Sequence, residues 1–146
     1  MRALAVLLIG LLLAAPWYAA RADEAPSALP PNDRAAIHDV IQHQLDAFRA
    51  DDAGTAFGFA SPGIQGMFGD AANFMAMVRH GYPPVYRPRS ATFGGLVEVD
   101  GRTVQKLHLI GPDGVPALAL YFMEREADGT WKIDGCQLLQ NDEVGA

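Results

Sequence analysis

The sequence predicts an α+β domain with N-terminal helices packed on a curved antiparallel four-stranded meander. Three observations carry that prediction. Apolar residues between positions 33 and 80 recur at steps of three and four. From Ser90 onward the apolar pattern becomes strand-like. Three turn signals, Asp100-Gly101, Pro112-Asp113-Gly114 and Asp128-Gly129, cut this second half into four segments. Helices first and a meander second make an α+β order. The chain of 146 residues suits one domain, and its composition, 50% hydrophobic, can supply a core.

Residues 1–22 stand apart from the fold. Arg2 is a one-charge n-region, positions 3–15 are apolar and rich in Leu, Pro16 breaks the run, and Ala20-Arg21-Ala22 fits a small-x-small cleavage site. That is the anatomy of a secretory signal peptide. It predicts an exported protein, periplasmic or secreted, with no stable membrane anchor after cleavage. The rival is an uncleaved anchor, because the uncharged run over 3–20 borders on a membrane span. Pro16 and the cleavage site favour removal. Cys136 is the single cysteine, so no internal disulfide supports the fold and no thiol lies near the signal for lipid attachment.

The formal charge is −6, and loss of Arg2 and Arg21 on cleavage makes the mature chain more acidic still. There is no basic cluster. Nucleic acid and anionic lipid are therefore excluded as expected partners. Residues 23–32, with Pro26, Ser27, Pro30 and Pro31, read as a flexible linker. A single domain is expected over 33–140, followed by a C-terminal tail over 141–146.

The first helix is expected over 33–50. Ile37, Val40, Ile41, Leu45 and Phe48 form its inner stripe, Pro31 stops it from extending upstream, and Asn32 or Asp33 is its expected cap. Gln44 projects between Val40 and Ile41, on the apolar face. It is either a buried amide bonded to core backbone or a polar group pointing into a pocket. Asp51-Asp52 precede a second helix over 53–60, with Phe57 as its anchor, ended by Ser61-Pro62-Gly63. Ile64, Met67 and Phe68 punctuate a glycine-bearing link. Asp70 caps a third helix over 71–80, with Phe74, Met77 and Val78 inward and Gly81 just past its end. Positions 82–88 hold three prolines and are read as an extended crossing segment.

The strands are expected over 92–99, 102–110, 115–124 and 130–139, with Gly94-Gly95 marking a bulge or bend in the first. In the second, Gln105 shares a face with Leu107 and Leu109, while His108 takes the other face. The third strand is apolar on both faces, from Val115 to Met123. Helices can cover one face, so the other is expected to meet a second copy in a homodimer.

The order of elements, closing on Gly129-Thr130-Trp131-Lys132-Ile133, resembles the cone-shaped fold of the nuclear transport factor two-like superfamily. A closer resemblance, to the bacterial family of domain of unknown function 4864, rests on several segments. They are Gln44-Leu45-Asp46-Ala47-Phe48 with Asp51-Asp52, then Ala60-Ser61-Pro62-Gly63-Ile64, then Phe74-Met75-Ala76-Met77-Val78 with Tyr82, and last Trp131-Lys132-Ile133-Asp134-Gly135-Cys136. The resemblance implies a cone-like fold and an exported life. It implies no reaction.

Within a cone, the residues expected to line a pocket are Gln44, Phe48, Phe74, Tyr82, Gln105, Tyr121 and Trp131. The facing of Tyr121 hangs on a strand register that sequence alone leaves open. Superfamily members include isomerases and dehydratases, which need a base and an oxyanion donor facing one cavity. No spacing here requires such a pair. His38 and His43 lie about 140° apart on a helix and do not converge on a metal. No nucleophile motif, phosphate loop or paired-cysteine motif is present. The expected function is therefore a module that binds a small apolar ligand or a protein, with no cofactor and no metal. A small isomerase or dehydratase and a purely structural dimerisation domain are the alternatives.

Overall fold

A computed structural model describes residues 24–140, so the expected signal peptide and C-terminal tail lie outside the described residues. The chain runs β1 (Glu24–Pro26), α1 (Pro31–Arg49), α2 (Ala53–Gly58), α3 (Pro62–Phe68), α4 (Ala71–Gly81) and α5 (Pro83–Tyr86). It continues as β2 (Ser90–Val99), β3 (Arg102–Ile110), β4 (Pro116–Arg125) and β5 (Trp131–Gln140). The strands form one antiparallel sheet in the order β1-β2-β3-β4-β5. The α+β class and the four-stranded meander are as the sequence predicts. The fifth strand is a correction: β1 lies within the segment read as a linker and pairs Glu24 with Val99 and Pro26 with Val97.

Three further corrections have physical reasons. First, α1 starts at Pro31, and neither Asn32 nor Asp33 caps it; Pro30 stands at the cap without a side-chain bond. Proline suits the first helical position, whose N–H has no partner inside the helix in any case. Second, the glycine-bearing link is the helix α3, capped by the Ser61 side chain, which accepts from the Ile64 N–H. Third, the proline segment is not wholly extended, because Pro83 and Pro84 open the short helix α5, where their missing donors cost nothing. Gly81, expected just past the end of the third helix, is instead the last residue of α4, and Tyr82 follows as the cap.

The helix starts at Asp52 and Asp70 are as expected, each side chain accepting a backbone N–H three residues on. Asp100 and Gly101 have φ of 52° and 75°, the pair of left-handed residues that a tight hairpin requires. The β2 bulge falls at Gly94-Gly95, where the pairing register shifts between Phe93 and Leu96. Among the described residues no helix is long and apolar enough to cross a membrane.

One sheet face packs on the helices. Ile37, Ile41, Leu45 and Phe48 of α1 are buried in a core that includes Leu107 and Leu109 of β3 and Ala117, Ala119 and Tyr121 of β4. The two-residue period then sends Leu118, Leu120 and Phe122 to the opposite face, where each is half-buried. Asp33 ties α1 to β5: its carboxylate accepts from the Trp131 indole N–H at 3.1 Å and pairs with Arg125 at 3.4 Å.

Candidate functional site

Between the sheet and the C-terminal half of α1 lies a cavity of about 360 Å³. Each wall has a local cause. The Gln44 and Phe48 side chains reach it from α1, one turn apart. α3 contributes Ile64, Met67 and Phe68, the i, i+3, i+4 stripe of its single amphipathic face. α4 contributes Phe74, Met77 and Val78; Tyr82 and Val85 follow from the α4–α5 corner. The sheet supplies Tyr121 from β4 and Ile133, Gly135 and Cys136 from β5. Tyr121 and Cys136 are register partners, so their side chains leave the sheet on the same face. Met67 is 73% exposed and also lines the cavity, so the space reaches the surface beside it.

Two polar clusters hold these walls. At one end, the Ser61 N–H donates to the Ile133 carbonyl at 2.8 Å, and the Ile133 N–H donates to the Phe59 carbonyl at 2.9 Å. The Ser61 hydroxyl donates to Asp134 at 2.7 Å, and Asp134 pairs with Arg102 at 3.2 Å. Gln65 donates to the Phe57 and Ala60 carbonyls. Together they seat α3 against β5. At the other end, Asp51, with φ of 53°, accepts from the Tyr86 hydroxyl and pairs with Arg87 at 2.9 Å and Arg79 at 3.3 Å. Arg87 also donates to the Phe48 carbonyl and stacks 4.0 Å above the Tyr86 ring. This clasp fixes α5 against the end of α1. The hydrogen bond from Tyr86, and then the nearby arginines, hold the Asp51 carboxyl below its usual range.

Inside, the polar groups are few. Gln44 is 3% exposed and donates its amide N–H to the Ala56 carbonyl at 3.1 Å. A carbonyl only accepts, so the Gln44 nitrogen must face Ala56 and its oxygen must point elsewhere. Tyr82 donates its hydroxyl to the Cys136 carbonyl at 3.0 Å, and burial raises its pKa. The Tyr121 hydroxyl is fully buried and makes no hydrogen bond. Burial pushes its pKa well above the usual phenol value. Burial likewise pushes the Cys136 thiol up to about 12. All three titratable groups on the lining are therefore protonated and neutral near pH 7.

Of the seven residues expected at a pocket, Gln44, Phe48, Phe74, Tyr82 and Tyr121 meet around this cavity. Gln105 and Trp131 do not line it. Gln105 is buried, but its amide N–H groups are spent on the carbonyls of Gly94 at 3.0 Å and Lys106 at 2.9 Å, bracing the bulge. Trp131 is drawn away by its bond to Asp33. Facing is otherwise as the strand period predicts: Leu107 and Leu109 are buried and His108 is exposed. The α3 face lies in the segment expected as a link, although the spacing of Ile64, Met67 and Phe68 carries the helical signal. Cys136 was legible only through its register with Tyr121. Among the described residues no group of three or more His, Cys, Asp or Glu side chains could hold a metal ion.

A family model described as Domain of unknown function (DUF4864) matches residues 30–146. Neither a curated protein nor a solved structure matches the chain.

Proposed function

The chain belongs to the DUF4864 family, whose description names no reaction, and on that premise we propose that it is a binding module for a small, mainly apolar molecule. The observation that carries the reading is the cavity itself. Its volume, about 360 Å³, falls in the range of small-molecule sites, roughly 300–1,000 Å³. Its lining is apolar except for a few fixed polar groups, the usual make-up of such sites. A core of this size gains stability by closing its voids, so an open apolar cavity braced by polar clusters on both sides is support for use.

The donor set favours binding over turnover. The lining carries no His, Asp or Glu. Tyr82, Tyr121 and Cys136 all have pKa values raised by burial, so none is poised as a base near neutrality. Placement in the cone-shaped nuclear transport factor two-like superfamily rests on the element order alone. Export rests on the signal-like pattern of residues 1–22. The half-buried outer row Leu118, Leu120 and Phe122 supports a sheet-face homodimer.

Native mass spectrometry of the chain recovered from the cell envelope tests these readings together. The expected spectrum shows a dimer beginning at Asp23, with added mass that leaves on collisional activation. A cavity that retains no molecule, and that takes up none from a panel of naphthalene-sized compounds, would overturn the binding reading. An uncleaved mass confined to membranes would overturn cleavage.

A further inference from the structure

Resting on that binding reading, we infer that the molecule held in this cavity carries a neutral hydrogen-bond donor, an N–H or O–H, and presents it to the side-chain oxygen of Gln44. Gln44 is 3% exposed and lines the cavity. Its Nε2 donates to the Ala56 carbonyl at 3.1 Å, and this is the one hydrogen bond that its side chain makes. A carbonyl only accepts, so the amide cannot be turned round, and Oε1 is the free end. That oxygen is also within reach. Among the described residues, the unpartnered side-chain oxygens that are wholly covered are the Tyr121 hydroxyl and Glu126 Oε1. Gln44 Oε1 has no partner either but keeps open surface, and the space that Gln44 borders is the cavity. A buried amide oxygen has room for two hydrogen bonds and is rarely left with none.

The rest of the lining narrows the donor. The covered Tyr121 hydroxyl is out of a ligand's reach, and Tyr82 spends its O–H on the Cys136 carbonyl, so neither offers a ligand a proton. The lining carries no Asp or Glu, so an ammonium would be desolvated there with no opposite charge beside it. A neutral N–H or O–H exchanges a hydrogen bond to water for one to Oε1 and completes the amide. The body that carries it is flat and apolar. Phe48, Phe68 and Phe74 all line the cavity, and Phe74 stands 6.1 Å from Phe48 and 5.7 Å from Phe68, a set of ring faces and edges that suits an aromatic ligand.

Indole and benzothiophene have nearly one shape, and of the two only indole has a donor. Both are titrated into the purified full chain by calorimetry. Indole is expected to bind at least about tenfold more tightly, because benzothiophene leaves Oε1 unpaired. In the parent complex the indole N–H is expected to give a nuclear Overhauser contact with the Gln44 side chain, a readout that needs no variant to fold. Gln44→Met is expected to bring the two affinities together. His108→Ala, at an exposed position on the opposite sheet face, is expected to keep the parent's preference. Equal affinities in the parent would overturn the donor inference and leave the binding reading standing. A preference that survives Gln44→Met, one that His108→Ala also loses, or an indole N–H in contact with another residue would overturn the assignment to Gln44. No binding of either probe would overturn the binding reading and this inference with it.

Discussion

Gln44 and Gln105 are both buried, at 3% and 6% exposure, and both project toward the layer between helices and sheet. Their surroundings differ. Gln105 spends its amide on the carbonyls of the β2 bulge and of its own strand, and Leu107 and Leu109 beside it are closed into the core. Gln44 makes one bond, to Ala56, and borders the cavity with an unpartnered Tyr121 hydroxyl on the facing sheet. One side of the domain has used its polar groups to finish the fold. The other has kept part of its hydrogen-bonding capacity and its space. The contrast locates function by what the fold leaves unspent.

Packing gives the largest expected effect. Leu107→Ala, on the closed side, is expected to cost roughly 2–5 kcal/mol in urea denaturation, because a fully buried side chain leaves a void. Met77→Ala, on the cavity wall, is expected to cost less than about 1 kcal/mol, since part of its surface already meets open space. Equal losses would mean that the two sides are packed alike and that the cavity closes in solution.

The glutamines come next. Gln105→Leu strips the Gly94 carbonyl at the bulge and the Lys106 carbonyl of its own strand of a donor, and is expected to cost about 2–3 kcal/mol. Gln44→Leu loses the single bond to Ala56 and is expected to cost about 1 kcal/mol. Reversal of that order in denaturant midpoints would make Gln44 the structural residue.

The tyrosines should move in opposite directions. Tyr121→Phe deletes an unsatisfied buried hydroxyl and is expected to stabilise the ligand-free protein by about 1 kcal/mol. Tyr82→Phe gives up a made bond and is expected to destabilise it by about the same amount. Thermal melts of both variants measure this. Destabilisation by Tyr121→Phe would mean that its hydroxyl finds a partner in solution.

Much of this contrast was legible in the sequence, and what was missed has a pattern. Strand parity placed Gln105 with Leu107 and Leu109, and helical spacing placed Gln44 and Phe48, because one buried face imposes a strict period. The fate of each amide was not legible. It depends on which carbonyl lies opposite, and the bulge that offers Gly94 to Gln105 is a tertiary fact. Trp131 left the site for the same kind of reason: Asp33, expected as a helix cap, holds its indole instead. Glycine and proline hid α3 and α5, since both residues lower helix propensity, while Ser61 and the first-turn prolines make short helices there all the same.

The finest separation of regions is by pH. The Cys136 thiol on the cavity wall is raised from 9.0 to about 12, so between those values the unfolded chain sheds a proton that the folded chain keeps. Stability from this group is whole below pH 9 and falls as pH rises, no faster than about 1.4 kcal/mol per pH unit. Tyr121 adds to the same fall above pH 10. The Asp51 clasp has the opposite sign. Its carboxyl is held below the ordinary 3.8 by Tyr86 and the arginines, so its contribution is present above that value and is lost as pH falls below it. Denaturation across pH 8 to 10.5 should therefore show a shallower decline in Cys136→Ala than in the parent. Asp51→Asn should flatten only the acid limb. Matching alkaline slopes in the parent and Cys136→Ala would mean that the thiol ionises as readily folded as unfolded, and that the cavity wall is wet.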